Sequence, residues 1–212
     1  MTQVRNAPIT PEIKAFIDSH NGDFKDALWT ASLKGKLDVV KYLCENTLVD
    51  NFNNMVLRTA SSSGHIDIVK YICENMPVDD FNSALFASST NKKLNITKYL
   101  CENTPVDHFN HVLDNASFNG SFDIVKYLCE NTPVDNFNTV LYLTSFNGHI
   151  DIVKYLCENT PVNNFNGALC NASSHCHYDT IKYLINYIQN NHPNYIIDEE
   201  CLDKYNKMNQ QE

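Results

Sequence analysis

Four side chains near the end of the sequence, Cys170, His175, Cys176 and His177 in "CNASSHCHYD", are of the types that bind zinc. Their spacing fits no established finger or ribbon pattern. A second set, Asp151, Lys154 and Glu158, offers carboxylates for acid–base work. It has the i,i+3 and i,i+4 spacing of charges paired along an exposed helix face, where such pairs are solvated and weak. His65 and His149 each follow a glycine, a place for orienting a turn rather than moving a proton. No glycine-rich phosphate loop and no nucleophile elbow is present. No catalytic residue, metal ligand or cofactor is assigned, and the protein is read as not an enzyme; a metal-binding or enzymatic site around these cysteines and histidines, in what is read below as a sixth repeat, is the rival reading.

Recognition is the other chemistry on offer. Trp29, Phe86, Phe118, Tyr142 and Phe146 are side-chain types favoured as interface anchors, and Arg58 and Asp114 could add charge complementarity. Their meaning depends on a repeat. The Lys of "KY" recurs at Lys41, Lys70, Lys98, Lys126, Lys154 and Lys182, a first step of 29 residues and then four of 28. A fixed period of this size signals a repeat array. Each copy reads as two helices. In the fifth, "NTVLYLTSF" ends at Asn147-Gly148. "HIDIVKYLCEN" follows, with Ile150, Val153, Leu156 and Cys157 at helical spacing and Asp151 in the first turn. "TPVDNF" then stops the helix at Pro161 and offers Asp and Asn as the next cap.

Aligned within the chain, the copies separate scaffold from variation. Seven positions before the glycine column stand Leu28, Leu57, Leu85, Leu113, Leu141 and Leu169. Three before it stand Ser32, Ser61, Ser89, Ser117, Ser145 and Ser173, next to small residues that permit close helix stacking. Phe52, Phe81, Phe109, Phe137 and Phe165, with Val49, Val78, Val106, Val134 and Val162, are placed as a roof over the core. Against this, six positions before the glycine column run Trp29, Arg58, Phe86, Asp114, Tyr142, Cys170. Two before it run Leu33, Ser62, Thr90, Phe118, Phe146, Ser174. These columns share one face of the first helix. The sixth-repeat cysteines and histidines also fall in repeat columns: Cys170 in a variable one, Cys176 in the glycine one, His177 with His65 and His149.

"ASSSGHIDIVKYI" and "TSFNGHIDIVKYL" resemble the ankyrin repeat pattern, in which T-P-L-H-x-A-A-x-x-G-H precedes a second apolar helix. The resemblance covers six copies, about residues 24–189. It implies that the variable face lines a concave groove and that the protein is a protein-interaction module. The period departs from the family's 33 or so residues, and the shortfall lies where the family carries its β-hairpin finger. The expected fold is therefore all-α: an elongated solenoid of six ankyrin-like helix-turn-helix repeats with reduced or missing fingers and terminal capping helices. One domain, 1–208, is expected, with a cap at about 9–22, repeats at about 23–189, a capping helix at about 196–208 and loose ends at 1–8 and 209–212. Ile197, Cys201, Tyr205 and Met208 form the apolar stripe of the last helix.

The formal net charge of −9 argues against a nucleic-acid or anionic-membrane partner. No apolar run approaches a membrane span of roughly 18 residues. Cys44, Cys73, Cys101, Cys129 and Cys157 recur at one place in stacked helices roughly 8–10 Å apart, beyond the reach of about 7 Å that a disulfide allows. They are expected buried and reduced, in a cytoplasmic or nuclear protein. A monomer that binds a protein or peptide through Trp29, Arg58, Phe86, Asp114, Phe118, Tyr142 and Phe146 is the preferred reading. The alternatives are rings that only pack between repeats, or a spacer without a selective partner. The third repeat is expected to be the weakest, with Lys92 in place of glycine and Thr97 placing a hydroxyl in the core.

Overall fold

The computed structural model describes residues 9–46 and 52–209. Among them are fourteen α-helices and no strand, and no helix is long and apolar enough to cross a membrane. The chain divides into two compact units, Met1–His108 and Phe109–Glu212.

The first unit holds α1 (Pro11–Asp18) and three helix pairs: α2 (Phe24–Lys34) with α3 (Leu37–Asn46), α4 (Asn53–Ser63) with α5 (Ile66–Asn75), and α6 (Phe81–Thr90) with α7 (Leu94–Asn103). Thr10 caps α1 by accepting from the Ile13 amide at 3.3 Å, and Pro11 sits where no amide is needed. Asp23 caps α2 through the Lys25 and Asp26 amides. The first helices α2, α4 and α6 pack side by side more closely than the second helices do. Ala31 and Ala60, fully buried at the crossing, make that approach possible. Leu28, Leu57 and Leu85 are also fully buried, each worth about 1.5–3 kcal/mol of transfer.

The second unit repeats the plan with α8 (Phe109–Phe118) and α9 (Phe122–Asn131), α10 (Phe137–Asn147) and α11 (Ile150–Asn159), and α12 (Phe165–Ser174) and α13 (Tyr178–Asn191). α14 (Glu199–Asn209) packs on α12 and α13 and buries Cys201. Leu113, Leu141 and Leu169 occupy its core. In α11 the buried residues are Ile152, Val153, Leu156 and Cys157; Ile150, expected among them, is half-buried.

Where a finger would project there is instead a short loop clasped by asparagine. In the first unit Asn82 donates to Asp107 at 2.9 Å and accepts from the Asp107 and His108 amides at 3.2 and 3.3 Å. Asn54 makes the matching contacts with Asp79 and Asp80. In the second unit Asn138 holds Asn163 and Asn164 in the same way, and Asn110 holds Asp135. One side chain thus satisfies backbone donors that a hairpin would otherwise pair. The loop valines Val106, Val134 and Val162 are buried beneath, whereas of the loop phenylalanines only Phe165 is fully so. Val49 and residues 1–8 and 210–212 lie outside the described residues, as does the side chain of Met208; Asn209, expected in the tail, ends α14.

Candidate protein-interaction surface

The first helix of each pair turns its leucine column inward and its variable columns outward. In the first unit this leaves Trp29 44% and Phe86 40% exposed, with Arg58 exposed between them in sequence order. In the second unit Phe118 is 50% and Tyr142 48% exposed. Asp114 and Phe146 are only half-buried and already have neighbours in the fold. Asp114 accepts from Asn136 Nδ2 at 2.6 Å, and burial raises its carboxyl above the ordinary aspartate range. Phe146 lies against the His175 ring, centroids 4.0 Å apart. Leu33, 43% exposed beside Trp29, belongs to the same face but was not picked out by residue type. Its column position was the available signal.

The histidines after the glycines do more than orient their own turns. His65 Nε2 donates to the Leu33 carbonyl of the preceding repeat at 2.9 Å. His149 reaches the Phe118 carbonyl at 3.1 Å, and His177 the Phe146 carbonyl at 2.9 Å. Each therefore fixes the last helical turn that carries a variable side chain. The glycine beneath must be glycine twice over. Gly148 has φ +70, and a Cβ there would lie 2.5 Å from His177 Nδ1.

The second helices carry the paired charges differently from the i,i+3 and i,i+4 expectation. Lys126 and Glu130 do pair, at 4.0 Å. Glu158, however, accepts from Tyr183 of the next repeat at 3.1 Å, with Lys154 Nζ 5.6 Å from that ring's centroid. Tyr71 with Glu45 and Lys41 repeats the arrangement at 3.0 and 5.4 Å. Burial is the first cause that pushes the Tyr71 and Tyr183 phenols above their usual range; Glu45 comes next at Tyr71, and at Tyr183 Cys157 and then Glu158 follow. These charges tie repeats together.

In the sixth repeat His175 Nδ1 donates to the Asn171 carbonyl at 3.0 Å, and His177 is held at Phe146 as described. Cys170 and Cys176 are exposed. Among the described residues, no group of three or more His, Cys, Asp or Glu side chains gathers where it could hold a metal ion.

All eight cysteines are free. Of the five in the repeat column, Cys44 and Cys157 are buried as expected, but Cys73, Cys101 and Cys129 are only half-buried. Desolvation and the glutamate that follows each push the Cys44, Cys101 and Cys157 thiols to about 12 and those of Cys73 and Cys129 to about 11.

The fold and the outward columns together define an all-α repeat protein of stacked helix pairs, an α-solenoid with capping helices at both ends. A family model described as ankyrin repeats (3 copies) matches residues 10–82 and 113–194, and the chain belongs to the ankyrin repeat family. No curated protein matches the sequence. Ankyrin repeats are generally protein–protein interaction modules, and the family is generally non-enzymatic.

Proposed function

We propose that this protein is a non-enzymatic binding module that holds a protein or peptide on the outward faces of its first helices. Trp29, Arg58 and Phe86 would serve in the first unit, and Asp114, Phe118, Tyr142 and Phe146 in the second. The observation that carries the reading is the exposure of Trp29, Phe86, Phe118 and Tyr142, 40% to 50%, in columns that vary while the leucine column beside them is fully buried. Half-exposed rings on a rigid scaffold supply contact area at little further cost in entropy. Among the described residues the loops between repeats are short and clasped, which leaves the helix faces as the surface that varies. The chain would act as a monomer in a reducing compartment, consistent with its free thiols.

The test is the double change Phe118→Ala with Tyr142→Ala. Loss of an interface aromatic commonly costs about 2 kcal/mol or more of binding. The variant should keep a melting temperature near wild type and lose the proteins captured by the parent in affinity pull-down mass spectrometry. Undiminished capture by a folded variant would remove these rings from the binding site.

A further inference from the structure

Charge is shared unevenly between the two units. The first helices of the first unit and the turns that end them (24–36, 53–65 and 81–93) carry Lys25, Lys34, Lys36, Arg58, Lys92 and Lys93 against a single acid, Asp26. The matching segments of the second unit (109–121, 137–149 and 165–177) hold no Lys or Arg and one acid, Asp114. In a chain of formal net charge −9, this excess of cations on the first helices and their turns is a departure from the average, although Lys25 and Lys36 already lie over the Phe52 and Phe16 rings.

Arg58 stands in the same column as Trp29 and Phe86, and α4, which bears it, packs against both α2 and α6. Neighbouring helix axes are about 8–10 Å apart, so a guanidinium position lies between two half-exposed rings. Arg58 is exposed and makes no ion pair among the described residues. The acid within its field is Asp80, whose carboxyl is held low first by hydrogen bonds from Ser83, with Arg58 a lesser contributor. Past the end of α4 lies an open depression of about 310 Å³ lined by Gly64, Ile66, Lys92, Lys93, Leu94 and Asn95, among others. The first turn of α7 supplies no acid to this depression, whereas the first turn of α5, whose Ile66 also lines it, carries Asp67.

We propose that the first-helix face of the first unit takes an acidic segment of a partner protein that also carries aromatic or large aliphatic side chains. The apolar groups would rest on Trp29, Leu33 and Phe86, with carboxylates at Arg58 and in the Lys92–Lys93 depression. This rests on the protein-binding reading above and adds the partner's chemistry. Arginine recognises carboxylates bidentately, while rim lysines raise the association rate and make it salt-sensitive. The second-unit face, with Asp114 and no Lys or Arg, would contribute no such preference.

The chain has one tryptophan, Trp29, so its emission reports directly on this face. A displayed library of random peptides would be panned on the full chain, and the selected peptides synthesised and titrated against Trp29 emission. The selected sequences should be rich in Asp and Glu together with Phe, Tyr, Trp or Leu. Arg58→Glu, checked for folding by circular dichroism, should weaken them about tenfold or more. Raising salt from about 50 to about 300 mM should weaken them several-fold. Neutral or basic selected peptides, or acidic ones indifferent to Arg58→Glu, would overturn the proposal. Peptides lost only with Phe118→Ala and Tyr142→Ala would overturn it while keeping the protein-binding reading; peptides indifferent to both faces would remove both. Arg58-dependent binding of a single-stranded RNA oligonucleotide in place of any peptide, or Arg58-dependent self-association in sedimentation, would also overturn it.

Discussion

The third and fifth repeats have the same plan and nearly the same helix lengths, yet they solve two local problems differently. Where the fifth ends its first helix on Gly148 at φ +70, the third uses Lys92 at φ +57. Where the fifth fills its core with Val153, the third has Thr97, fully buried. That hydroxyl is not the liability the sequence suggested. Ser88 stands where other repeats carry alanine or threonine, and its Oγ lies 2.9 Å from Thr97 Oγ1. With one proton on each hydroxyl, Ser88 donates to the Leu85 carbonyl at 2.8 Å and Thr97 donates to Ser88 Oγ, the Lys93 carbonyl at 3.2 Å being its longer alternative acceptor. The two polar substitutions satisfy each other. Scaffold columns therefore change in compensating pairs or bear a local cost. The outward columns, by contrast, run from Trp29 to Asp114 to Cys170 with the buried leucines undisturbed.

The largest effect that would break this comparison is expected at Gly148. Gly148→Ala forces a Cβ into the left-handed region and against the His177 ring, endangering the bond to Phe146. A loss of about 2–3 kcal/mol is expected in urea unfolding, from the strain and one hydrogen bond together. A neutral outcome would mean that the helix end tolerates a side chain there, as it does in the third repeat.

Lys92→Gly is the reverse experiment. It should stabilise by up to about 1 kcal/mol, offset in part by the greater chain entropy glycine loses on folding. In the parent protein, amides of 82–103 should exchange a few-fold faster than those of 138–159. Equal protection of the two segments would show that the strain at Lys92 is not felt beyond its own turn.

The Ser88–Thr97 pair predicts a smaller number. Thr97→Val leaves Ser88 its bond to Leu85, so stability should change by less than about 1 kcal/mol. A double-mutant cycle with Ser88→Ala should show a coupling of about 0.5–1.5 kcal/mol. Zero coupling would make their proximity incidental.

Thiol reactivity gives the finest distinction. Cys170 and Cys176, both exposed, should react first with a thiol reagent at mildly alkaline pH. Cys101, half-buried, should follow, and Cys157, 4% exposed, should wait for unfolding. Reaction of Cys157 as fast as Cys101 would contradict the burial difference between these repeats.

How much of this could be read from the sequence follows from what periodicity encodes. The leucine column, the glycine stops and the helix pairs recur at fixed offsets, so their burial and their caps were legible; Gly148 and Leu141 behave as their columns require. The outward face was legible too, because Trp29, Phe86 and Tyr142 vary where Leu28, Leu85 and Leu141 do not. Contacts between different columns were not. The asparagine clasp joins Asn82 to Asp107, and the histidine link joins His149 to Phe118, across a separation that no local spacing reveals. The Ser88–Thr97 pairing was hidden for the same reason, since each residue taken alone looks like a defect. Phe146 was grouped with the exposed rings, and only its contact with His175 shows that it is partly scaffold.

Neighbouring residues of α10 put the separation of scaffold from recognition to its most direct test. Leu141 is fully buried and Tyr142 is 48% exposed. Urea unfolding of Leu141→Ala and Tyr142→Ala, measured side by side, should show a loss of about 2–5 kcal/mol for the leucine. The tyrosine should lose about 1 kcal/mol, in keeping with a ring only half removed from water. If Tyr142→Ala destabilises the protein as much as Leu141→Ala does, the outward rings are part of the core and the variable face is not a free surface.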